Sequence, residues 1–393
     1  MTDPADRPAL SDETRLIHTG HDPHAFHGFV NPPVVHASTV LFETPDAFLS
    51  NQARYTYGRQ GTPTSDALEA MLTGLEGAAG TKITPSGLAA CTVACLSVLS
   101  AGDHILVVDT VYGPTRAFAD GFLKRFGVEV SYYDPAVGDG IVDLFRPNTR
   151  ALFLEAPGSL TFEMQDVPKI AALAKARGIV TLMDNTWATP LFFKPLAHGI
   201  DLSMQAATKY ISGHSDTMIG TVAASAEVWP KLAATYRQLG LHTGPDDIYL
   251  AVRGLRTMAV RLARHQASGL EVARWLEARP EVARVRHPAL PSDPGHALWK
   301  RDFTGACGLF AIELHPAPKE AVKAFLSALR LFGMGYSWGG FESLVTWPNP
   351  AQSRTATRWE GHGPLLRFHV GLEAPADLIA DLDQGFAALA AAR

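Results

Sequence analysis

Between residues 104 and 206 the chain repeats one alternation. Short, nearly continuous apolar runs, HILVVD (104–109), VEVSYY (128–133), ALFLEA (151–156), IVTLMD (179–184) and DLSMQA (201–206), read as strands. The stretches PSGLAACTVACLSVL, PTRAFADGFLKRF and VPKIAALAKARG, before and between them, read as helices. A strand that is apolar along its whole length is buried on both faces, and strands joined through helices run parallel. The expected fold class is therefore α/β, with a mostly parallel central sheet flanked by helices. In such sheets ligands sit beyond the carboxyl ends of the strands. That rule singles out the residues just after each strand.

The rest of the chain is organised around this segment. TSDALEAMLTGLEG reads as a helix opened by Thr64 or Ser65 and closed by Gly77. From about 245 a long helical stretch, PDDIYLAVRGLRTMAVRLARHQASGLEVARWLEA, leads into a smaller α+β part. That part has strands VARVRH, GLFAIEL and LLRFHV and helices KEAVKAFLSAL and PADLIADLDQGFAALAAA. Residues before 61 lack a sustained period and read as an arm on a neighbouring subunit or as a frayed tail. At 393 residues the chain exceeds one ordinary core. The expected division is an arm over 1–60, a large domain over 61–255 and a small C-terminal domain over 256–393.

Composition excludes several roles. Net charge is −5 with Lys and Arg scattered, so there is no basic stripe for nucleic acid and no polybasic run for anionic lipid. The three cysteines, Cys91, Cys95 and Cys307, are too few and odd in number for a disulfide framework, which points to a reducing compartment. Cys91 and Cys95 read as core packing, because two thiols cannot complete a zinc site. His18, His21, His24 and His27 recur every three residues, but loop histidines are ordinarily solvated, and no metal is expected. The N-terminal MTDPADRPALSDETR has no basic segment followed by an apolar one. The run LAACTVACLSVLSAG (88–102) is shorter than the roughly 20 residues a membrane span needs. The expected location is the cytoplasm.

The strand-end rule finds Asp184 after IVTLMD and, past DLSMQA, Thr208 and Lys209 in MQAATKYISGHSDTMIG. An ammonium among small neutral residues is costly without a partner or a task. One reading is an Asp184–Lys209 ion pair. The other is a pyridoxal phosphate site, which needs a lysine for the aldehyde, an acid beside the pyridine nitrogen and a cradle for the phosphate. Lys209 suits the first need and Asp184 the second. Thr208 can offer a hydroxyl, while Ser86, Gly87 and Leu88 open a helix whose free N–H groups and dipole favour an anion.

The stretch DNTWATPLFFKPLAHGIDLSMQAATKYISGHSDTMIG resembles the pyridoxal-phosphate enzymes of cysteine and methionine metabolism. So do YTYGRQGTPT (55–64), PSGLAA (85–90), VYGPT (111–115), RGLRTMAVRLARH (253–265), GYSWGGFESL (335–344) and LLRFHVGLE (365–373). The resemblance covers nearly the whole chain. It implies the aspartate-aminotransferase-like fold type I of such enzymes. It also implies a homotetramer built as a dimer of catalytic dimers. Tyr112 would stack on the cofactor ring, and Tyr57 and Arg59 would reach the cofactor phosphate of an adjacent subunit. Arg367 would anchor the substrate carboxylate, with Ser337, Trp338 and, less directly, Tyr236 beside the substrate. Trp338 resembles the β-cleaving members of the family, since the γ-acting ones often carry leucine there. Ala207 replaces a phosphate-binding serine common in the family, a departure the β-cleaving members share. Leu88 stands where methionine is common; the contact there is through backbone.

The activity so implied is β-elimination of the thioether amino acid L-cystathionine to L-homocysteine, pyruvate and ammonia. Lys209 would be the base at Cα, and Lys209 or Tyr112 the acid at sulfur. Other readings share the scaffold: a broad cysteine-S-conjugate lyase or cysteine desulfhydrase, a γ-lyase or γ-synthase, and a non-catalytic protein that binds the cofactor.

Overall fold

The computed structural model describes residues 10–393, so residues 1–9 of the expected arm lie outside the described residues. The first sheet contains β1 (Gly80–Thr84), β2 (His104–Val108), β3 (Glu129–Tyr133), β4 (Thr149–Glu155), β5 (Val180–Asp184), β6 (Leu202–Gln205) and β7 (Gly220–Ala224). Its spatial order is β1-β7-β6-β5-β4-β2-β3. The pairs among β2 to β6 are parallel, and β7 runs antiparallel to both β1 and β6. The strands read from apolar runs are all present. β1 and β7 were not expected, because GTKIT and GTVAA contain no run of bulky apolar residues. Close packing explains their smallness. A Cβ at Gly80 would stand 2.5 Å from the Trp229 ring, and one at Gly220 only 2.2 Å from the Ser86 carbonyl oxygen.

Helix Gly87–Val98 crosses the sheet and packs on β5, β6 and β7. It buries Ala90, Cys91, Val93, Ala94 and Cys95, and both cysteines are free core residues. The helix expected to open at Thr64 or Ser65 spans Pro63–Glu76 and is capped slightly earlier, by Thr62, with Ser65 completing a reciprocal capping box. Thr64 has other work: its hydroxyl donates to Pro33 O and accepts from Val35 N–H, tying the arm to this helix. Within the described part of the arm, Asp12–His18 and Pro45–Ser50 are short helices, which the broken pattern of prolines and glycines concealed.

The long helical stretch from about 245 is two helices, Pro245–Arg256 and Met258–Glu277, that meet at Thr257. Arg261 accounts for the break. Its guanidinium donates to the Gly254 carbonyl at 2.7 Å, beside the Thr257 N–H at 3.0 Å, and to Thr257 Oγ1 at 3.1 Å and Ile211 O at 3.3 Å.

The second sheet holds β8 (Val282–Arg286), β9 (Leu309–Leu314), β10 (Gly333–Met334), β11 (Leu344–Thr346) and β12 (Leu365–His369), in the order β10-β11-β12-β9-β8. β10 and β11 are too short to leave a period in the sequence. Helices Lys319–Ala328 and Pro375–Ala391 pack together in this half of the molecule. Helix Met258–Glu277 serves two apolar cores, giving Met258 and Leu262 to one and Val272, Ala273 and Leu276 to the other.

One acid straps the halves together. Asp109, at the end of β2, accepts the backbone N–H groups of Thr355, Ala356 and Thr357, the Thr357 hydroxyl and the Arg116 guanidinium. Burial opposes its ionisation, but these donors outweigh burial and hold the carboxyl below its usual range.

Candidate active site

β5 and β6 are parallel neighbours, so their carboxyl ends open on the same rim. Asp184 is the last residue of β5, and Lys209 follows β6 by a short turn. Thr186 joins the two ends: its N–H donates to Asp184 Oδ1 at 3.0 Å, and its Oγ accepts the Ala206 N–H at 2.9 Å. Asp184 and Lys209 do not form an ion pair. The Lys209 ammonium instead donates to Ser337 Oγ at 2.7 Å and lies 5.5 Å from the centre of the Trp338 indole. Its pKa is lowered to about 8, first by desolvation and then by the Arg367 charge, with Asp184 opposing. The carboxylate and the amine are each held by their own partners.

Arg367, in the middle of β12, closes a third side. Its Nη2 donates to the carbonyl oxygen of Tyr336 at 2.7 Å, and desolvation lowers its pKa to about 10. Tyr112 caps the short helix Gly113–Ala117, and Asp184 and Arg367 both act on its phenol electrostatically. Burial and Asp184 push that phenol above its ordinary value. Ser86 caps helix Gly87–Val98 by accepting the Ala89 N–H at 3.1 Å. The N–H groups of Gly87 and Leu88, in the first turn, have no partner within the helix. A Cβ at Gly87 would lie 2.5 Å from the Ala206 Cβ, so glycine is what lets this helix end sit against the segment leading to Lys209.

These observations fit pyridoxal phosphate. Among the described residues Asp184 Oδ2 has only the Cys91 thiol, 3.8 Å away, as a neighbouring donor, which suits a carboxylate facing a ring N–H. An anion-binding helix start and a half-buried amine with lowered pKa complete the donor set. Lys209, Asp184, Tyr112, Arg367, Ser337, Trp338, Ser86, Gly87 and Leu88 thus belong to one region.

Four expected residues are not in that region or not free for it. The Thr208 hydroxyl donates to Ile219 O at 3.0 Å and accepts from Ile219 N–H at 2.9 Å, so its proton is spent on the backbone turn rather than on an anion. Tyr57 and Arg59 flank the start of a short turn elsewhere, where Arg59 donates to Arg237 O at 3.2 Å. Tyr236 goes with them: it lines a cavity of about 200 Å³ with Arg59 and Lys82, and the Lys82 ammonium lies 5.6 Å from its ring centre. Within a single chain its neighbours are Arg59 and Lys82, and none of Lys209, Asp184 and Arg367 lines that cavity, so its expected place beside the substrate is not met there.

Glu155 is a further candidate residue at this rim that the sequence motifs do not single out. It ends β4 directly beside Asp184 in register, and its Oε2 accepts the Tyr112 N–H at 2.7 Å. Desolvation and the Asp184 charge push its carboxyl well above the usual range. Burial raises the Asp184 carboxyl as well, but Thr186, Cys91 and Lys209 oppose that rise, so Glu155 is the more strongly raised of the two acids. The strand-end rule applied to ALFLEA and HILVVD, as it was to IVTLMD, would have flagged Glu155 and Asp109 as well.

Among the described residues no group of His, Cys, Asp and Glu could hold a metal ion, and no helix is long and apolar enough to cross a membrane.

A family model for the Cys/Met metabolism PLP-dependent enzymes matches residues 13–387. A Rhizobium johnstonii relative, provisionally named a cystathionine beta-lyase, is 56% identical over 382 residues, 96% of each chain. The cystathionine beta-lyase MetC of Escherichia coli K12 is 43% identical over 387 residues, 95% of this chain and 98% of its own. The crystal structure of a cystathionine gamma synthase from Xanthomonas oryzae pv. oryzae superposes with a TM-score of 0.91 at 33% identity, covering 98% of this chain and 100% of the other.

Proposed function

Because this chain belongs to the Cys/Met metabolism PLP-dependent enzymes, we propose that it is a carbon–sulfur lyase that cleaves L-cystathionine. The products are L-homocysteine, pyruvate and ammonia, with one water consumed, a step of methionine biosynthesis by trans-sulfuration chemistry. The observation that carries this reading is the convergence of Asp184, Lys209 and Arg367 on one region, with Ser337 and Trp338 on the amine. Lys209 would hold the cofactor aldehyde and Asp184 its ring nitrogen. Tyr112 would cover the ring, and Ser86, Gly87 and Leu88 would receive the phosphate. Pyridoxal 5′-phosphate supplies an electron-withdrawing ring that acidifies the substrate Cα–H bond.

The protein's own groups do the rest. Arg367 exchanges its loop carbonyl for the substrate carboxylate, a charge-assisted pair that orients Cα. With a pKa near 8, Lys209 presents a useful fraction of free base near neutrality and takes the Cα proton. Ser337 fixes the direction of its nitrogen. The indole of Trp338 walls the path of the thioether chain, and Lys209 or Tyr112 returns a proton to the departing sulfur.

The assay is identification of the keto acid released from L-cystathionine. Pyruvate is expected; 2-oxobutyrate would overturn the reading in favour of γ-cleavage. Comparable rates on cystine or S-alkyl cysteines would instead mark a broad conjugate lyase. Lys209→Ala should lack turnover and the visible absorption of the bound cofactor.

In this reading the enzyme is a cytoplasmic homotetramer, divided into arm, large domain and C-terminal domain at 60/61 and 255/256. Arg59 and Tyr236 line one cavity whose walls include none of Lys209, Asp184 and Arg367, and Tyr57 is two residues from Arg59, which suits service to an adjacent subunit. The arm exposes large apolar side chains, Leu41 at 87% and Leu49 at 80%, that a neighbour would cover.

A further inference from the structure

Residues 336–340 carry Ser337 and Trp338 to Lys209, yet this loop contains no helix or strand of its own. Something beneath must hold it. β12 runs under the loop, and Arg367 and His369, two residues apart on that strand, point to the same face. Arg367 grips the loop at one end, through the Tyr336 carbonyl. His369 grips it at the other: its Nε2 accepts the Gly339 N–H at 3.1 Å and lies 3.2 Å from the Gly340 carbonyl oxygen. The imidazole is 1% exposed and neutral, since burial and then His265 lower its pKa to about 3. Its ring lies 6.0 Å from Tyr210 and 5.3 Å from His265, so its place is set by packing on all sides.

Gly339 shows why this end matters. Its φ is +85°, and a Cβ there would lie 2.9 Å from the Lys209 carbonyl carbon and the Tyr210 nitrogen. The loop therefore presses directly on the backbone of Lys209 at the residue His369 holds. The two grips differ in kind. A substrate carboxylate competes for Arg367, so that end of the loop is released during binding. Nothing in the reaction competes for His369.

We propose that His369 is the positioning residue that keeps Ser337 and Trp338 over Lys209 when Arg367 turns to substrate. It touches neither substrate nor cofactor and acts only through the Gly339 and Gly340 backbone. This rests on the thioether-cleaving reading for its kinetic consequence but not for its structural one.

The test uses the holoenzyme and two variants, His369→Gln, which keeps a polar end, and His369→Leu, which does not. Hydrogen exchange over residues 336–342, read by mass spectrometry, needs no substrate. The wild-type Gly339 amide should be protected, exchange at least tenfold faster in His369→Leu, and recover in His369→Gln. In steady state, His369→Leu should keep the cofactor absorption and lose tenfold or more in kcat. Combined with Ser337→Ala it should lose less than the product of the two single losses. An unprotected Gly339 amide in the wild type would overturn the proposal even if His369→Leu failed to fold. So would a His369→Gln enzyme as impaired as His369→Leu. If the exchange pattern holds while the keto acid is not pyruvate, the loop assignment stands and the β-cleavage reading falls.

Discussion

Ser337 Oγ accepts a 2.7 Å hydrogen bond from Lys209 Nζ across 128 residues of sequence. The bond joins the loop above β12 to the rim of the parallel sheet, so the base is aimed by one half of the chain and rooted in the other. A hydrogen bond to a charged group contributes about 1.5–3 kcal/mol, and at 1.36 kcal/mol per decade that is about a tenfold to hundredfold effect. Ser337→Ala should lower kcat by that amount with a smaller change in KM. Steady-state kinetics on L-cystathionine checks it, and an unchanged kcat would remove Ser337 from the mechanism.

Glu155 sets the height of Tyr112 by accepting its N–H. Glu155→Gln keeps a neutral acceptor of the same length and should stay within about threefold of wild type, the scale of a modestly perturbed hydrogen bond. Glu155→Ala leaves the Tyr112 amide unpaired and should cost about tenfold in kcat/KM. If Gln and Ala behave alike, the carboxyl does not position the ring.

Asp109 is ionised, buried and paired with Arg116 and the 355–357 backbone. Removing one partner of such a site strands the other, at about 3–5 kcal/mol. Asp109→Ala should therefore lower the unfolding free energy by about that much. The carboxyl is held below its usual range, so its contribution is present above that range and is lost only as pH falls beneath it. Denaturant titration at neutral pH, compared with pH 3, measures both effects; equal losses at the two values would contradict the strap.

Burial lowers the pKa of His104, His265 and His287 from 6.5 to about 4, and that of His369 to about 3. In the unfolded chain these rings gain protons as pH falls through 6.5, while the folded chain refuses them until about 4. The unfolded state thus binds more protons across that window, and stability falls as pH falls. Thermal midpoints should drop between pH 6.5 and 4, with net proton uptake on unfolding at pH 5. A flat midpoint across the window would show that the rings are not sequestered.

The parallel strands were legible because apolar runs such as IVTLMD have one explanation, burial on both faces. The chemistry at their ends was legible where a single residue was out of place, as Lys209 is among alanines and glycines. β1 and β7 were not, because their small residues answer to the Trp229 ring and the Ser86 carbonyl, neighbours that no local window contains. The break at Thr257 depends on Arg261 reaching Ile211, another contact across the fold. Glu155 and Asp109 differ from these. Both stand at strand ends, as Asp184 does, and so were visible by the same rule. Tyr236 lines a cavity with Arg59 and Lys82, a grouping that resemblance alone does not specify.

Helix Met258–Glu277 feeds side chains to both apolar cores. A protein engineer seeking a split reporter or a transplantable module would find no clean cut near that helix. Severing the chain at its first turn strips Met258 and Leu262 from the parallel sheet, and cutting at its last turn strips the other half. Fragments should complement only if each carries its own copy of the full twenty residues.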